Sequence, residues 1–306
     1  MSEFKGYTDG HQFRIANQYT DTQKLFETLG LTDAVESRTP TVGVNVAHLA
    51  RMDAVQQLSM NVKEKERVNT TILGISTAEG PGDFEKLLHG LGAKHVVTTA
   101  IDISDGIFER IEQWGLDEVA CLQRDARETG LADATQQIVL RDHIGNCCPP
   151  DIDRGIDQEA ARILEEGRIA IVNITTSDLL PLSPGRASVS FAQLQNLIPQ
   201  EMLQALQTSI YDLDEVRQLF PQISFDDMRG KIIEIEPGGS FVVFGEDAQG
   251  HGEWFRRLDD HKATWEQHGF EVVEIATREG TDSHNPPLQC MRHNVVLRKK
   301  ITSSKK

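Results

Sequence analysis

The sequence predicts an α/β fold: a doubly wound, mostly parallel seven-stranded sheet with an antiparallel hairpin strand at its C-terminal end. Short apolar β-rich runs alternate with amphipathic stretches between residues 69 and 177. A proline-punctuated segment then interrupts that alternation over 178–245, after which it resumes. Strands separated by helices need crossover connections and lie parallel, whereas the last two apolar runs are joined by a loop and read as antiparallel neighbours.

Each element follows from its spacing. Residues 1–68 read as a mostly polar helical segment, in which Leu49, Met52, Val55, Leu58 and Val62 recur at steps of three and four. The alternating charges of Lys63–Arg67 suit a solvated final turn. The first strand is Asn69–Ile75, and Phe84, Leu87, Leu88 and Leu91 then mark one helix face. His95–Ile101 is the second strand, Gly106–Trp114 a helix, Glu118–Gln123 the third strand and Gln136–Arg141 the fourth. Asp151–Glu166 is helical, with Ile156, Ala160, Ile163 and Leu164 on one side, and Arg168–Ile174 is the fifth strand.

Within the interruption, Pro181, Pro184, Pro199 and Pro221 delimit short amphipathic helices over Phe191–Phe220. Lys231–Glu236 and Ser240–Gly245 flank Pro237-Gly238-Gly239, a hairpin signal. A helix over Trp254–Gln267, a strand at Phe270–Ala276, a loop over Thr277–His293 and a strand at Asn294–Arg298 complete the pattern. The expected organisation is a helical segment (1–68), an α/β domain (69–177 and 246–299), an insertion over the C-terminal edge of the sheet (178–245) and a disordered tail (300–306).

Composition limits the function. At roughly 150 residues per domain, 306 residues fit either two units or one domain with additions. The 31 basic and 47 acidic side chains give a net charge of −16, which repels phosphate backbones and anionic lipid heads and argues against nucleic-acid and membrane partners. No apolar run approaches the roughly 18 residues of a bilayer span, and the first residues lack the basic-then-apolar order of a signal peptide. Cys121, Cys147, Cys148 and Cys290 form no CxxC pair and no disulfide pattern, so reduced thiols and a cytoplasmic location are expected. Cys147-Cys148-Pro149-Pro150 reads as inert buried cysteines, and His251, His261 and His268 have no metal-ligand spacing, so no metal is expected.

Ligands of an open parallel sheet bind beyond the C-terminal ends of its strands. After the first strand comes Gly74-Ile75-Ser76-Thr77-Ala78-Glu79-Gly80-Pro81-Gly82, whose small residues admit close backbone approach and whose N–H groups attract an anion. Asp102 ends the second strand, 20 residues beyond Gly82, where a carboxylate can accept ribose hydroxyls. Asp125, followed by Ala126, ends the third, where it can accept an adenine amino group. Arg141-Asp142-His143 ends the fourth and faces the cleft, with His143 and Asp142 as candidate bases. The structural alternatives are a plain glycine turn, a helix cap at Asp102, an ion pair of Asp125 with Arg124 or Arg127, and an ordinary cleft histidine at His143.

This succession resembles the class I S-adenosylmethionine-dependent methyltransferases, a Rossmann-like family. The matching stretches are Ile72–Gly82, Ala100–Ser104, Arg124–Ala126, Gln158–Ile171, and the ending Trp265–Glu274 with Arg292–Lys299, covering about 69–177 and 253–299. The family usually has an acid where Gly74 stands and glycines where Ser76 and Ala78 stand, while Gly80 is retained. The resemblance implies S-adenosylmethionine as cofactor, held by Gly74, Ser76, Thr77, Ala78, Gly80, Gly82, Asp102, Ile103, Asp125, Ala126 and Arg141, with His143 and Asp142 acting on a small-molecule O- or N-acceptor. The N-terminal helices and the insertion offer surfaces for a homodimer. A catalytically inactive binding protein on the same scaffold and a nicotinamide-dependent oxidoreductase stand as alternatives; the lack of GxGxxG and the antiparallel ending argue against the second.

Overall fold

The computed structural model describes residues 54–63, 65, 67–75, 80–103, 108, 119–142, 144–180, 183, 185–208, 218–224, 228, 230–244, 252–282 and 288–302. The expectations for residues 1–53, for a helix over Gly106–Trp114 and for the last four residues lie outside the described residues.

Seven strands form the main sheet: β1 (Val68–Leu73), β2 (Val96–Asp102), β3 (Ala120–Gln123), β4 (Gln136–Asp142), β5 (Leu164–Thr176), β10 (Phe270–Asp282) and β11 (Leu288–Lys299). Their order is β3-β2-β1-β4-β5-β11-β10. Neighbours from β3 to β5 are parallel, and β11 runs antiparallel to both β5 and β10. The sheet thus has the predicted class, including the reversed terminal hairpin.

Both faces are covered, as a central parallel sheet requires. Helices α1 (Ala54–Val62) and α2 (Gly80–Gly90) bring Leu58, Val62, Phe84, Leu87 and Leu88 onto Ile72, Ile138, Leu140 and Ile171. On the opposite face, α3 (Pro150–Ile163) and α6 (Leu258–Gln267) bring Ile152, Ile156, Ala160 and Trp265 onto Leu73, Val139, Ala170 and Val172. The period-2 alternation of Ile138/Val139/Leu140 and Ala170/Ile171/Val172 sends successive side chains to the two cores. Pro150 opens α3, where its missing N–H costs nothing.

The interruption builds its own layer. Strands β6 (Ser188–Val189), β7 (Ile232–Glu234), β8 (Phe241–Phe244) and β9 (Gly252–Phe255) form a second sheet in chain order, with the predicted hairpin between β7 and β8. Helices α4 (Phe191–Leu197) and α5 (Gln200–Thr208) pack Leu194, Met202 and Leu206 on its outer face against Ile233, Val242 and Trp254. Its inner face, Ile232, Phe241, Val243 and Phe255, meets Leu180 and, from β11 of the main sheet, Leu288. A capping box between Ser190 and Gln193 starts α4.

Three boundaries differ from the sequence reading. Trp254 belongs to β9 and not to the following helix, because its alternation with Phe255 matches the two faces of the small sheet. β5 begins at Leu164, where the polar residues Glu165 and Glu166 read as the end of a helix over Asp151–Glu166. Gly167, at φ +74°, and a register shift against β4 carry the strand through them. The segment read as a loop over 277–293 is largely a two-stranded extension, β10 reaching Asp282 and β11 starting at Leu288. Its polar residues sit in a ribbon whose ladder hydrogen bonds do not require an apolar sequence. No helix of the described residues is long and apolar enough to cross a membrane.

Candidate functional site

The chain leaves β1 through α2 to reach β2 on one side, while β4 flanks β1 on the other, so the end of β1 is the switch point at which this sheet opens a crevice. The register aligns a row of residues across it. Leu73 pairs with Ile101 and with Arg141, so one step further Gly74 stands between Asp102 and Asp142. Asp142 pairs with Asn173, and Asn173 with Asn294. Asp102 and Asp142 are two strand spacings apart, roughly 10 Å.

Gly74 has two physical reasons to be glycine. Its φ is +75°, in the left-handed region, and a Cβ placed there would lie 2.8 Å from the Cβ of Ile144. An acidic side chain would not fit this backbone, which accounts for the departure from the pattern it resembles. The Gly74 N–H donates to the Ile101 carbonyl at 2.9 Å, and the next N–H, of Ile75, donates to Asp102 Oδ2 at 2.9 Å. Asp102 therefore holds the turn and sits half-buried at its edge, beside an exposed Ile103. Gly80 and Gly82 lie in the first turn of α2. Ser76, Thr77 and Ala78, and also His143, lie outside the described residues.

At the end of β3, Asp125 is engaged by Arg127: its carboxylate accepts the Arg127 backbone N–H at 2.8 Å and the guanidinium Nη2 at 2.7 Å. Arg124 turns away and donates to the Thr129 carbonyl. The ion-pair alternative for Asp125 is thus realised, and Ala126 is buried in the core.

The consecutive residues Arg141 and Asp142 go to opposite faces. Asp142 follows Leu140 by two and stays on the α1/α2 face, 2% exposed, where its Oδ1 accepts from Asn173 Nδ2 at 3.1 Å. Asp142 Oδ2 and Asn173 Oδ1 are buried and have no hydrogen-bond partner among the described residues. Arg141, 1% exposed, is placed by the structure inside the protein and not on the crevice wall. It pairs with Asp157 and with Asp153, both on α3.

Those three residues are part of a buried charge network that sequence reading missed. Arg256, just after β9, donates from Nη1 to Asp153 Oδ2 at 2.6 Å, from Nη2 to Thr264 Oγ1 at 2.6 Å and from Nε to Asp260. Arg154 Nη2 donates to Glu236 Oε2 at 2.7 Å, tying α3 to the β7–β8 hairpin. His261 lies 3.7 Å from Asp153 and stacks on Trp265 at 5.6 Å between ring centroids. Burial, together with the positive charge of Arg256 and Arg141, drives the His261 pKa well below the usual range, so its ring is neutral. Burial alone would raise Asp260, but its bonds and charge contacts with Arg256 and Arg154 outweigh that and hold it below the usual carboxylate range. The grouping of Asp153, Asp157 and His261 has the compactness of a metal-ligand set. Two guanidiniums already neutralise its carboxylates, so a cation would have to displace them, and the donor set does not fit a metal. A small pocket beside this network is lined by Asn146, Cys148, Thr175, Trp254, Arg256 and His261. The signal for the network in the sequence was weak: Asp153 and Asp157 are one helical turn apart, but their arginine partners lie 16 and 103 residues away.

No protein-family model matches the sequence, and a search of curated proteins finds no relative. Among solved structures the chain is similar to a SAM-dependent methyltransferase from Methanosarcina mazei (11% identity, 79% of this chain and 96% of that one, TM-score 0.48). It is also similar to a S-adenosylmethionine-dependent methyltransferase from Mesorhizobium loti (14%, 79% and 95%, TM-score 0.44). A third is the 1,6-didemethyltoxoflavin-N1-methyltransferase of Burkholderia thailandensis, solved with 1,6-didemethyltoxoflavin and S-adenosylhomocysteine (10%, 97% and 92%, TM-score 0.43).

Proposed function

We propose that the protein transfers a methyl group from S-adenosylmethionine to a small-molecule acceptor. The observation that carries this reading is the turn after β1: Asp102 receives the Ile75 N–H at 2.9 Å beside a left-handed Gly74, immediately before the first turn of α2. A half-buried carboxylate pinned by a backbone N–H is oriented for a ribose diol, and exposed Ile103 offers an apolar surface to a purine ring. The residues present fit the cofactor in those two respects. The N–H groups at the start of α2 suit its carboxylate end.

When bound, the cofactor supplies an electrophilic sulfonium methyl. The chain's task is then to hold the acceptor in line with it and keep water out, which removes much of the entropic cost of a bimolecular step. Asp142 and the following His143 are the candidates for taking a proton from an oxygen or nitrogen acceptor. The second sheet, over the ends of β4 and β5, is the candidate determinant of acceptor choice, and the net charge of −16 favours a neutral or cationic small molecule.

One observation favours the alternative of a binding protein without catalysis: Asp125, the acid expected at adenine, is occupied by Arg127. Calorimetry with S-adenosylmethionine, S-adenosylhomocysteine and NAD separates the readings. Binding of the first two supports methyl transfer, no binding supports the scaffold, and tight NAD binding overturns both. With a turned-over acceptor in hand, His143→Gln is expected to lower the rate; unchanged turnover removes His143 as the base.

A further inference from the structure

Glycine is required where another group already occupies the space of a side chain, and two such glycines bracket one turn beside the crevice. After β4 the chain makes a single 3₁₀ turn, Ile144–Cys147. On one flank Ile144 packs on the turn after β1: a Cβ on Gly74 would lie 2.8 Å from the Ile144 Cβ. On the other flank Gly145 rests on the buried ion pair of Arg141 and Asp153. A Cβ there would lie 2.6 Å from Arg141 Nη2 and 2.6 Å from Asp153 Oδ1. Neither atom can swing aside, because both side chains are buried and held by each other, by Asp157 and by Arg256. The turn is tied elsewhere too: Asn146 Oδ1 accepts the Thr175 N–H at 3.4 Å, and the Cys148 thiol donates to the Ile144 carbonyl at 3.4 Å. It has no slack, so a displacement of Asp153 is passed to Gly145, Ile144 and Gly74.

Asp153 is also a point at which the second sheet grips the main domain. Arg256, buried just after β9, donates from Nη1 to Asp153 Oδ2 at 2.6 Å. We propose that Arg256 is a positioning residue for cofactor binding: through Asp153 it sets the Ile144–Cys147 turn against Gly74, so that docking of the second sheet and binding of the cofactor favour each other. This rests on the methyl-transfer reading above. The route is a chain of contacts. Arg256 fixes Asp153, Asp153 seats Gly145, Ile144 closes on Gly74, and the next N–H, of Ile75, holds the Asp102 carboxylate at 2.9 Å. Among the described residues the Arg256 guanidinium is hydrogen-bonded or ion-paired only with Asp153, Asp157, Asp260 and Thr264, all on α3 and α6, so its influence on the crevice is indirect. The consequence for the reaction is mutual. An acceptor that presses the second sheet onto the main domain tightens the cofactor, and the cofactor in turn steadies the second sheet by the same factor.

The test uses the full-length protein, with S-adenosylhomocysteine affinity read by calorimetry and thermal melting run in parallel. Arg256→Met is expected to weaken S-adenosylhomocysteine about threefold to thirtyfold, the range for couplings carried by packed side chains. Arg256→Lys keeps a charge for Asp153 but loses the fork to Asp260 and Thr264. It should melt lower than the parent yet bind S-adenosylhomocysteine within about twofold of it. Glu236→Gln cuts the other tie between α3 and the second sheet, the ion pair with Arg154 at 2.7 Å, and should also lower melting without changing the affinity. In the parent protein, S-adenosylhomocysteine should slow amide exchange in β9 more than in β10, at the far edge of the main sheet, a readout that needs no variant to fold. Loss of affinity that tracks the melting temperature across these variants overturns the proposal, since Arg256 would then be structural. So does unchanged affinity in Arg256→Met, or slowing no greater in β9 than in β10. Absence of S-adenosylhomocysteine binding to the unmodified protein overturns the methyl-transfer reading and this inference with it, whereas binding indifferent to Arg256 overturns this inference alone.

Discussion

Replacing Arg141 with Met tests whether the residue supports the fold or the ligand. Its guanidinium is 1% exposed and is shared between Asp153 and Asp157, themselves 1% and 2% exposed. Met keeps the aliphatic stem and removes the charge. Among the described residues Asp157 then retains only Arg256 at 3.8 Å, and Asp153 keeps one of its two guanidiniums. Orphaning a buried charge typically costs about 3–5 kcal/mol. At about 2–4 °C per kcal/mol for a large domain, the midpoint should fall by roughly 6–20 °C. Differential scanning calorimetry at low and high salt measures it, and the loss should change little with salt because the pairs are out of solvent. Arg298→Met is the control: its pair with Glu271 is exposed and should be worth at most about 1 kcal/mol. The double variant R141M/D157L should recover part of the loss. A fall below about 1 kcal/mol, accompanied by weaker S-adenosylmethionine binding, would refute the reasoning and return Arg141 to the crevice.

Gly74→Ala should destabilise by about 2–5 kcal/mol, from a left-handed backbone and overpacking against Ile144, as measured by urea unfolding. Asp102→Ala removes both the Ile75 tether and the proposed ribose acceptor, so calorimetry should find S-adenosylhomocysteine binding weakened by about tenfold to a hundredfold. The pKa of His261 and that of His293 are lowered in the fold, mainly by burial, so below roughly pH 6.5 the unfolded chain binds more protons than the native one. Stability is therefore fully present above that pH and is lost as pH falls. His261→Gln should flatten the acid limb of a stability–pH curve, and an unchanged limb would place the titration elsewhere.

The parallel core was legible because its signals are local. The apolar runs that became β1, β2 and β4, and the helix face of Phe84, Leu87 and Leu88, need no distant partner to be recognised. The turn glycines and Asp102 were legible for the same reason, as a short spacing on one strand–helix–strand unit. The polar ribbon joining β10 to β11 was not, since its pairing is set by the ladder and not by a hydrophobic pattern.

The sequence by itself determined the sheet's class and the place of its crevice, because alternation and helix length dictate parallel crossovers and hence a switch point. Only the tertiary structure decided what the side chains at that point do. Adjacent strand residues go to opposite faces, so Arg141 joins Asp153, Asp157 and Arg256 in a buried network while Asp142 meets Asn173 across the register. Asp125 was drawn to Arg127 for a related reason: a carboxylate's partner depends on which donor the folded chain brings within reach.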